Sequence, residues 1–331
     1  MKRKPKAFFA FLLSLLLFPL LAGCGDSMVE EPVPPKGGQE ACVTESTRKN
    51  AEERIISGLQ AAGNSGFSLL PSLLAGPELS IRESQMKVAN ATGQPNEDMV
   101  IPYAASAVFL PSSCLWPRSI TVLSEPTGNQ YSQRILTFTQ PSPRSNYKLW
   151  SEVVLFPGAQ LPFKASGEKR IKFGDQLDAG LIATPQEAVS WYANVLEEGE
   201  KSPYLHSFET GDLYLEVQEL RSEFSSALSA SKGSQEEAFF PQYSSAKILK
   251  LESGDLVIVQ INSVWTRNAG KGGTAKPATS AEKALFSSSK PSQFLTAKYV
   301  NVVALFIPSS SKGTKIEVLG AEREPVSVKA S

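Results

Sequence analysis

Beyond residue 40 the apolar positions fall into two successive blocks, each passing from a spacing of three and four residues to a spacing of two. In the first block Ala51, Ile55, Ile56, Leu59 and Ala62 form one stripe of a helix that Thr44 or Ser46 can cap and Gly63 ends. Leu69 to Leu74 predicts a short second helix halted by Gly76-Pro77, and Leu79 to Ala89 predicts a third. From Ile101 the pattern turns to strands over 104–110, 120–124, 133–140 and 147–156, parted by Pro and Gly clusters as turns require. The second block opens on Thr184-Pro185-Gln186-Glu187, a capping box with proline at the first helical position. Ala188, Trp191, Tyr192, Val195 and Leu196 follow at helical spacing, then Leu213, Val217, Leu220, Phe224 and Leu228. Strands are expected again over 246–251, 256–266, 298–307 and 315–319, with a short one over 325–328. Helices followed by a strand meander, twice over, predict an α+β protein of two tandem domains, 41–180 and 181–331. Val153-Val154-Leu155-Phe156-Pro157 and Val303-Ala304-Leu305-Phe306-Ile307-Pro308 echo each other. The echo fits a duplication, although a match this short and apolar also arises by chance.

The first 40 residues follow a different logic. Lys2, Arg3, Lys4 and Lys6 precede a 15-residue apolar run from Ala7 to Leu21, which ends on Leu21-Ala22-Gly23-Cys24. A basic segment, an apolar segment and a small-residue site, in that order, define an export signal. A cysteine directly after Leu-Ala-Gly reads as a lipobox. Its thiolate takes a diacylglyceryl group as a thioether, and cleavage over 1–23 leaves it as the new, fatty-acylated N-terminus. A transmembrane helix needs about 20 apolar residues, and this run is shorter and contains Pro19. Residues 24–40, with Pro32, Pro34, Pro35, Gly37 and Gly38, compose a tether whose coil dimension is roughly 20 to 25 Å. The expected location is the extracytoplasmic face of the cell membrane, with membrane lipid as the first partner.

Charge and cysteine usage narrow the classes further. The 33 basic residues balance 33 acidic ones, and removal of the signal leaves 29 against 33. A mild acidic excess argues against nucleic acid as a partner, which calls for a basic face. With Cys24 acylated, Cys42 and Cys114 remain as an even pair in an exported chain, either as a disulfide or as two buried thiols. Closing that span would stabilise the fold by roughly 4 kcal/mol in the loop-entropy picture. Cys-x-x-Cys and His-Glu-x-x-His are absent and there is one histidine, so no metal site and no cofactor other than the covalent lipid is expected.

Two or three helices leading into a curved four-stranded antiparallel sheet resemble the NTF2-like, cystatin-related cone. With the lipobox and tether, the layout resembles actinobacterial-type lipoproteins with tandem domains of that kind. Leu73-Leu74-Ala75-Gly76-Pro77-Glu78-Leu79 with Arg82, and Val318-Leu319-Gly320-Ala321, carry the resemblance. It implies a cell-envelope location and two cone domains, each with helices on a curved sheet. It hands over no catalytic residues.

Candidate chemistry is sparse. Tyr204, His206 and Asp212 lie close in sequence where a cone would open, but Ser202-Pro203 and Gly211 mark the stretch as a connection that collects polar residues anyway. The nine acidic residues from Glu187 to Glu223, against two basic ones, are spread over two helices and read as a solvated face rather than a convergent cation site. The segment 267–293 is too long for a hairpin turn, and Arg267, Lys271, Lys276, Lys283 and Lys290 oppose only Glu282. It could touch anionic headgroups or wall polymers, or be an insertion that touches nothing. Gly270-Lys271-Gly272-Gly273-Thr274 lacks the residue order of a phosphate loop. Trp116, Trp150 and Trp265 could mark contacts with a protein partner, though core is the commoner fate of tryptophan. The chain therefore reads as a non-catalytic binding module for a small apolar ligand or an envelope protein. A structural scaffold is the alternative, and an isomerase or hydrolase of the cone class a more distant one.

Overall fold

The computed structural model describes residues 42–94, 100–101, 104–126, 132–164, 166–209, 211–286 and 292–330. The signal, Cys24 and the tether lie outside the described residues, as does Lys290. Among the described residues no helix is long and apolar enough to cross a membrane.

The fold is α+β, with two mixed sheets. Helix α1 (Glu45–Ala62) is capped by Thr44, whose hydroxyl accepts the Thr47 N–H at 3.1 Å, and it buries Ala51, Ile55, Ile56 and Ala62. A single turn, α2 (Leu70–Leu73), leads into α3 (Gly76–Thr92). The Gly76-Pro77 pair, expected to stop a helix, also starts the next one, with proline in the first turn where its missing N–H costs nothing. Strands β1 (Ala105–Pro111), β2 (Arg118–Ser124), β3 (Arg134–Gln140) and β4 (Lys148–Val154) form an antiparallel meander. A fifth strand, β5 (Gly167–Ile171), pairs parallel with the far side of β1, giving the order β4-β3-β2-β1-β5.

The second sheet follows α4 (Pro185–Glu198), the two-residue strand β6 (Phe208–Glu209) and α5 (Asp212–Ala230). The capping box of α4 is formed, with the Glu187 N–H donating to the Thr184 hydroxyl at 3.2 Å and the Thr184 N–H to the Glu187 carboxylate at 2.9 Å. Strands β7 (Ser234–Pro241), β8 (Lys247–Lys250) and β9 (Gly254–Asn268) come next. A short helix, α6 (Ser280–Leu285), separates β9 from β10 (Phe294–Pro308), and β11 (Ile316–Ala330) closes the chain. The order is β6-β11-β10-β9-β7, with β6 parallel to β11 and β8 also paired to β9.

Side-chain alternation arranges these elements in four layers. Val108, Leu110, Ile120, Val122, Leu136 and Phe138 face α1–α3, while Ala107, Phe109, Leu123 and Ile135 face the other way. There they meet Leu256, Ile258, Val302, Ala304 and Phe306 of the second sheet, whose opposite face (Val257, Val259, Ile261, Val303 and Leu305) packs on α4 and α5. Each sheet is thus covered on both faces, which is why β2 is buried from Ser119 to Ser124 without the polar alternation of a half-exposed strand. Because the sheets share a core, Ala41–Ser331 is one compact unit. The sheets also touch through backbone, the Phe156 N–H donating to the Leu319 carbonyl at 2.9 Å. Gly320 makes room for this approach: a Cβ there would lie 2.2 Å from the Val154 carbonyl oxygen. The echoed segments end β4, an edge strand, and β10, an interior one, so they hold non-equivalent places in the two sheets.

Candidate functional site

The sequence around Gly76 builds the floor of a cavity. Gly76 has φ +57°, and a Cβ on it would lie 2.4 Å from Trp150 Nε1, so the indole and the start of α3 fit together only with glycine. From there Glu78 and Arg82 fall at i and i+4 on the inward face, with Met86 one turn on. Arg82 Nη2 donates to Glu78 Oε1 at 3.1 Å and to Glu152 Oε2 at 3.2 Å. Arg134 donates to the other oxygen of Glu152, and the Glu152 N–H donates to Glu78 Oε2 at 3.0 Å. All four side chains are buried. Glu322, whose carboxylate accepts from Gln85 Nε2 at 3.1 Å, also acts on Arg82, and each carboxylate of the cluster has a hydrogen bond, which is what makes buried charge tolerable. Burial, reinforced by Glu78, pushes the Glu152 carboxyl up to about 7 against the partial relief given by Arg82 and Arg134.

Above this cluster α1 and α3 do not close completely. A cavity of about 220 Å³ is bounded by Ile56, Leu59, Leu70, Met86 and Ile101, with Gln60 and Asn64 at one side and Arg82 at the floor. It exceeds the roughly 150 Å³ in which an engineered apolar cavity holds benzene, and falls short of the range typical of drug-sized ligands. Its floor carries no excess positive charge, because the Arg82 and Arg134 guanidiniums are matched by Glu78 and Glu152, with Glu322 also acting on Arg82.

The corresponding space in the second half is filled. Phe239, Val257, Val259, Ile261, Val303 and Leu305 pack against Val189, Tyr192, Leu196, Leu213 and Val217. Farther along the same face Ser263 donates to Glu237 at 2.6 Å, and Arg323 donates to Glu237 and to Asn301, both at 2.9 Å. The Asn301 amide closes this polar belt on the Ile261 carbonyl at 2.7 Å.

The residues singled out by sequence fare differently. Cys42 and Cys114 are joined in a disulfide, with Cα atoms 4.9 Å apart. Tyr204 stacks on Trp191 with ring centroids 5.2 Å apart, while His206 and Asp212 are exposed, so nothing brings the three together around a common point. Arg267 is a correction. It is 1% exposed, ion-paired to Glu282 and stacked 4.2 Å from the Trp265 ring, so it faces no external surface. The acid expected to be a lone countercharge in a basic loop is its buried partner, further held by the Tyr299 hydroxyl. Lys271, Lys276 and Lys283 are exposed. Trp265 and Trp150 are core residues at 0% and 5% exposure, whereas Trp116 is 38% exposed and its neighbour Leu115 78%. Glu152 and Arg134 were missed. The available signal was a charged residue inside an apolar strand, Leu149-Trp150-Ser151-Glu152-Val153-Val154, which in a doubly covered sheet demands a buried partner.

No protein-family model, curated protein or solved structure matches this chain. The functional reading therefore rests on the residues and their geometry.

Proposed function

We propose that this chain is a lipid-anchored cell-envelope protein, built from two NTF2-like cones packed sheet to sheet, that binds a small and largely apolar ligand between α1 and α3. The single observation carrying it is the 220 Å³ cavity, walled by hydrocarbon and floored by an ion-paired cluster. A floor without excess positive charge favours an uncharged ligand, because an anion would have to compete with Glu78 and Glu152 for Arg82. Gln60, Asn64 and Arg82 can orient a ligand through hydrogen bonds, and none of them is a nucleophile, so the lining suits retention rather than chemistry. The anchor reading rests on Leu21-Ala22-Gly23-Cys24 and places the body at the outer face of the cell membrane. A second reading, docking of an envelope protein, is favoured by the exposed Leu115 and Trp116, which directly follow the disulfide-bonded Cys114.

The test is a fluorescence titration of the mature chain, carrying Cys24→Ser to remove acylation, with 1-naphthol. Saturable binding is expected, and Leu59→Trp, which fills the cavity from α1, should abolish it with the far-ultraviolet circular dichroism unchanged. Absence of binding, or binding indifferent to Leu59→Trp, would overturn the cavity as the site.

A further inference from the structure

A second feature, on the opposite edge of the first sheet, bears on how the body meets the membrane. A cleft of about 620 Å³ opens between β5, the turn after β8 and the turn after β10. Lys164, Lys169, Arg170, Lys250 and Lys312 line it, against the one acid Glu252. Some of this charge is engaged. Lys250 pairs with Asp178 at 2.7 Å, Glu168 stands 4.0 Å from Arg170, and the Lys169 ammonium donates to the Lys164 carbonyl. Lys164 and Lys312 are exposed and have no ion-pair partner among the described residues. Asp175 and Asp255 also act on Lys250, so the positive charge of the cleft rests on Lys164, Lys169 and Lys312.

The cleft adjoins the point where the body begins. Arg170 Nη2 donates to the Val43 carbonyl at 3.3 Å, and Arg118 Nη1 to the Cys42 carbonyl at 2.8 Å. Cys42 is fixed in addition by its disulfide to Cys114. The exposed lysines of the segment after β9 are elsewhere. Strands β9 and β10 pair over 15 residues each, from Gly254 opposite Pro308 to Asn268 opposite Phe294. At about 3.3 Å per residue that hairpin is roughly 45 Å long. Ser253 and Lys312 sit at one end of it, whereas Lys271, Lys276 and Lys283 follow its other end.

We infer that the Lys164–Lys312 cleft, and not the segment 267–293, is the surface that meets anionic phospholipid headgroups. The inference rests on the lipid-anchored reading: in sequence the anchored segment joins the body just before Val43, and the basic cleft adjoins Val43 through Arg170. Basic residues near a charged membrane contribute roughly 1 kcal/mol each, about a fivefold change in partition per charge, and the attraction decays within a Debye length. The cleft would therefore orient the tethered body rather than hold it alone.

The experiment uses the mature chain with Cys24→Ser, so that no acyl group contributes, and vesicles of phosphatidylcholine with or without 30% phosphatidylglycerol, an assumed composition of about one anionic lipid in three. Expected is co-sedimentation with the phosphatidylglycerol vesicles alone, weakened by raised salt. Lys164→Ser with Lys312→Ser should weaken it about 25-fold, and Lys271→Ser with Lys276→Ser should leave it unchanged. No binding to anionic vesicles, or loss with the second pair instead of the first, would overturn the inference. So would competition by millimolar glycerol phosphate, which would assign the cleft to a soluble phosphate compound. Since the chain tested carries no lipid, failure of the anchor itself is read separately, from fatty-acid labelling of Cys24.

Discussion

Replacing Glu152 by glutamine should change how stability depends on pH more than it changes stability at any one pH. The side chain is buried among Arg82, Arg134 and Glu78, and its carboxyl is displaced from 4.5 to about 7, first by burial and then by Glu78. With the folded pKa above the unfolded one, the native state keeps a proton that the unfolded chain releases. The contribution is therefore complete below pH 4.5 and is lost as pH rises through about 7. At about 1.4 kcal/mol per tenfold change, the loss across that interval is roughly 3 kcal/mol. Glu152→Gln keeps the shape and one acceptor but cannot titrate. Its NH2 group cannot accept from an arginine, so one of the two guanidiniums loses its acceptor, and that offset, about 1 to 3 kcal/mol, is the same at every pH. Urea unfolding followed by tryptophan fluorescence at pH 4.5, 6 and 8 gives the two curves. The difference between variant and wild type should move by roughly 3 kcal/mol in favour of the variant from the lowest to the highest pH. Asp255, also raised by burial, to about 6, is present in both proteins and cancels. Parallel curves would refute the reasoning, since they would mean that Glu152 titrates alike in the folded and unfolded chains.

Two further outcomes follow from particular contacts and a third from the lipobox. Gly76→Ala should lower stability by at least 1 to 2 kcal/mol, roughly the cost of a left-handed backbone for a residue with a Cβ, and should alter near-ultraviolet dichroism because the Trp150 indole has to move; an unchanged melting temperature would contradict the packing. Replacing Cys42 and Cys114 together by alanine should cost about 4 kcal/mol in urea unfolding, as expected for a bridge between residues 72 apart; a loss below about 1 kcal/mol would show that the bridge does not constrain the unfolded chain in that way. Cys24→Ser should leave an unprocessed precursor that incorporates no labelled palmitate, and incorporation by the variant would remove the basis for the anchor.

Local signals carried much of the architecture. The Thr184 capping box, the α1 stripe ending at Gly63 and the meander of four strands in the first half are statements about neighbouring residues, and neighbouring residues decide them. The elements that escaped depend on distant partners. Gly167-Glu168-Lys169-Arg170 has no apolar alternation and becomes a strand because β1 offers it a parallel edge. Helix α6 forms where Glu282 is drawn inward by Arg267 and Tyr299, so a segment read as a basic loop carries a buried pair. The candidate site was half visible. Glu78 and Arg82 stood in a conspicuous motif, but the sequence does not tell that Glu152 and Arg134 oppose them from two strands, since a charged residue in a strand ordinarily faces water. The cavity was invisible for a different reason: it is the gap left between α1 and α3, set by how two helices pack and not by any one residue.

The central claim is that the body retains a small apolar molecule between α1 and α3, and native mass spectrometry tests it most directly. The mature chain with Cys24→Ser is incubated with an extract of its own cell envelope, desalted and weighed beside the Leu59→Trp variant. The account predicts a discrete added mass on the first protein, small enough for a cavity of about 220 Å³, and none on the second. A bare first protein, or an equal added mass on both, would contradict it.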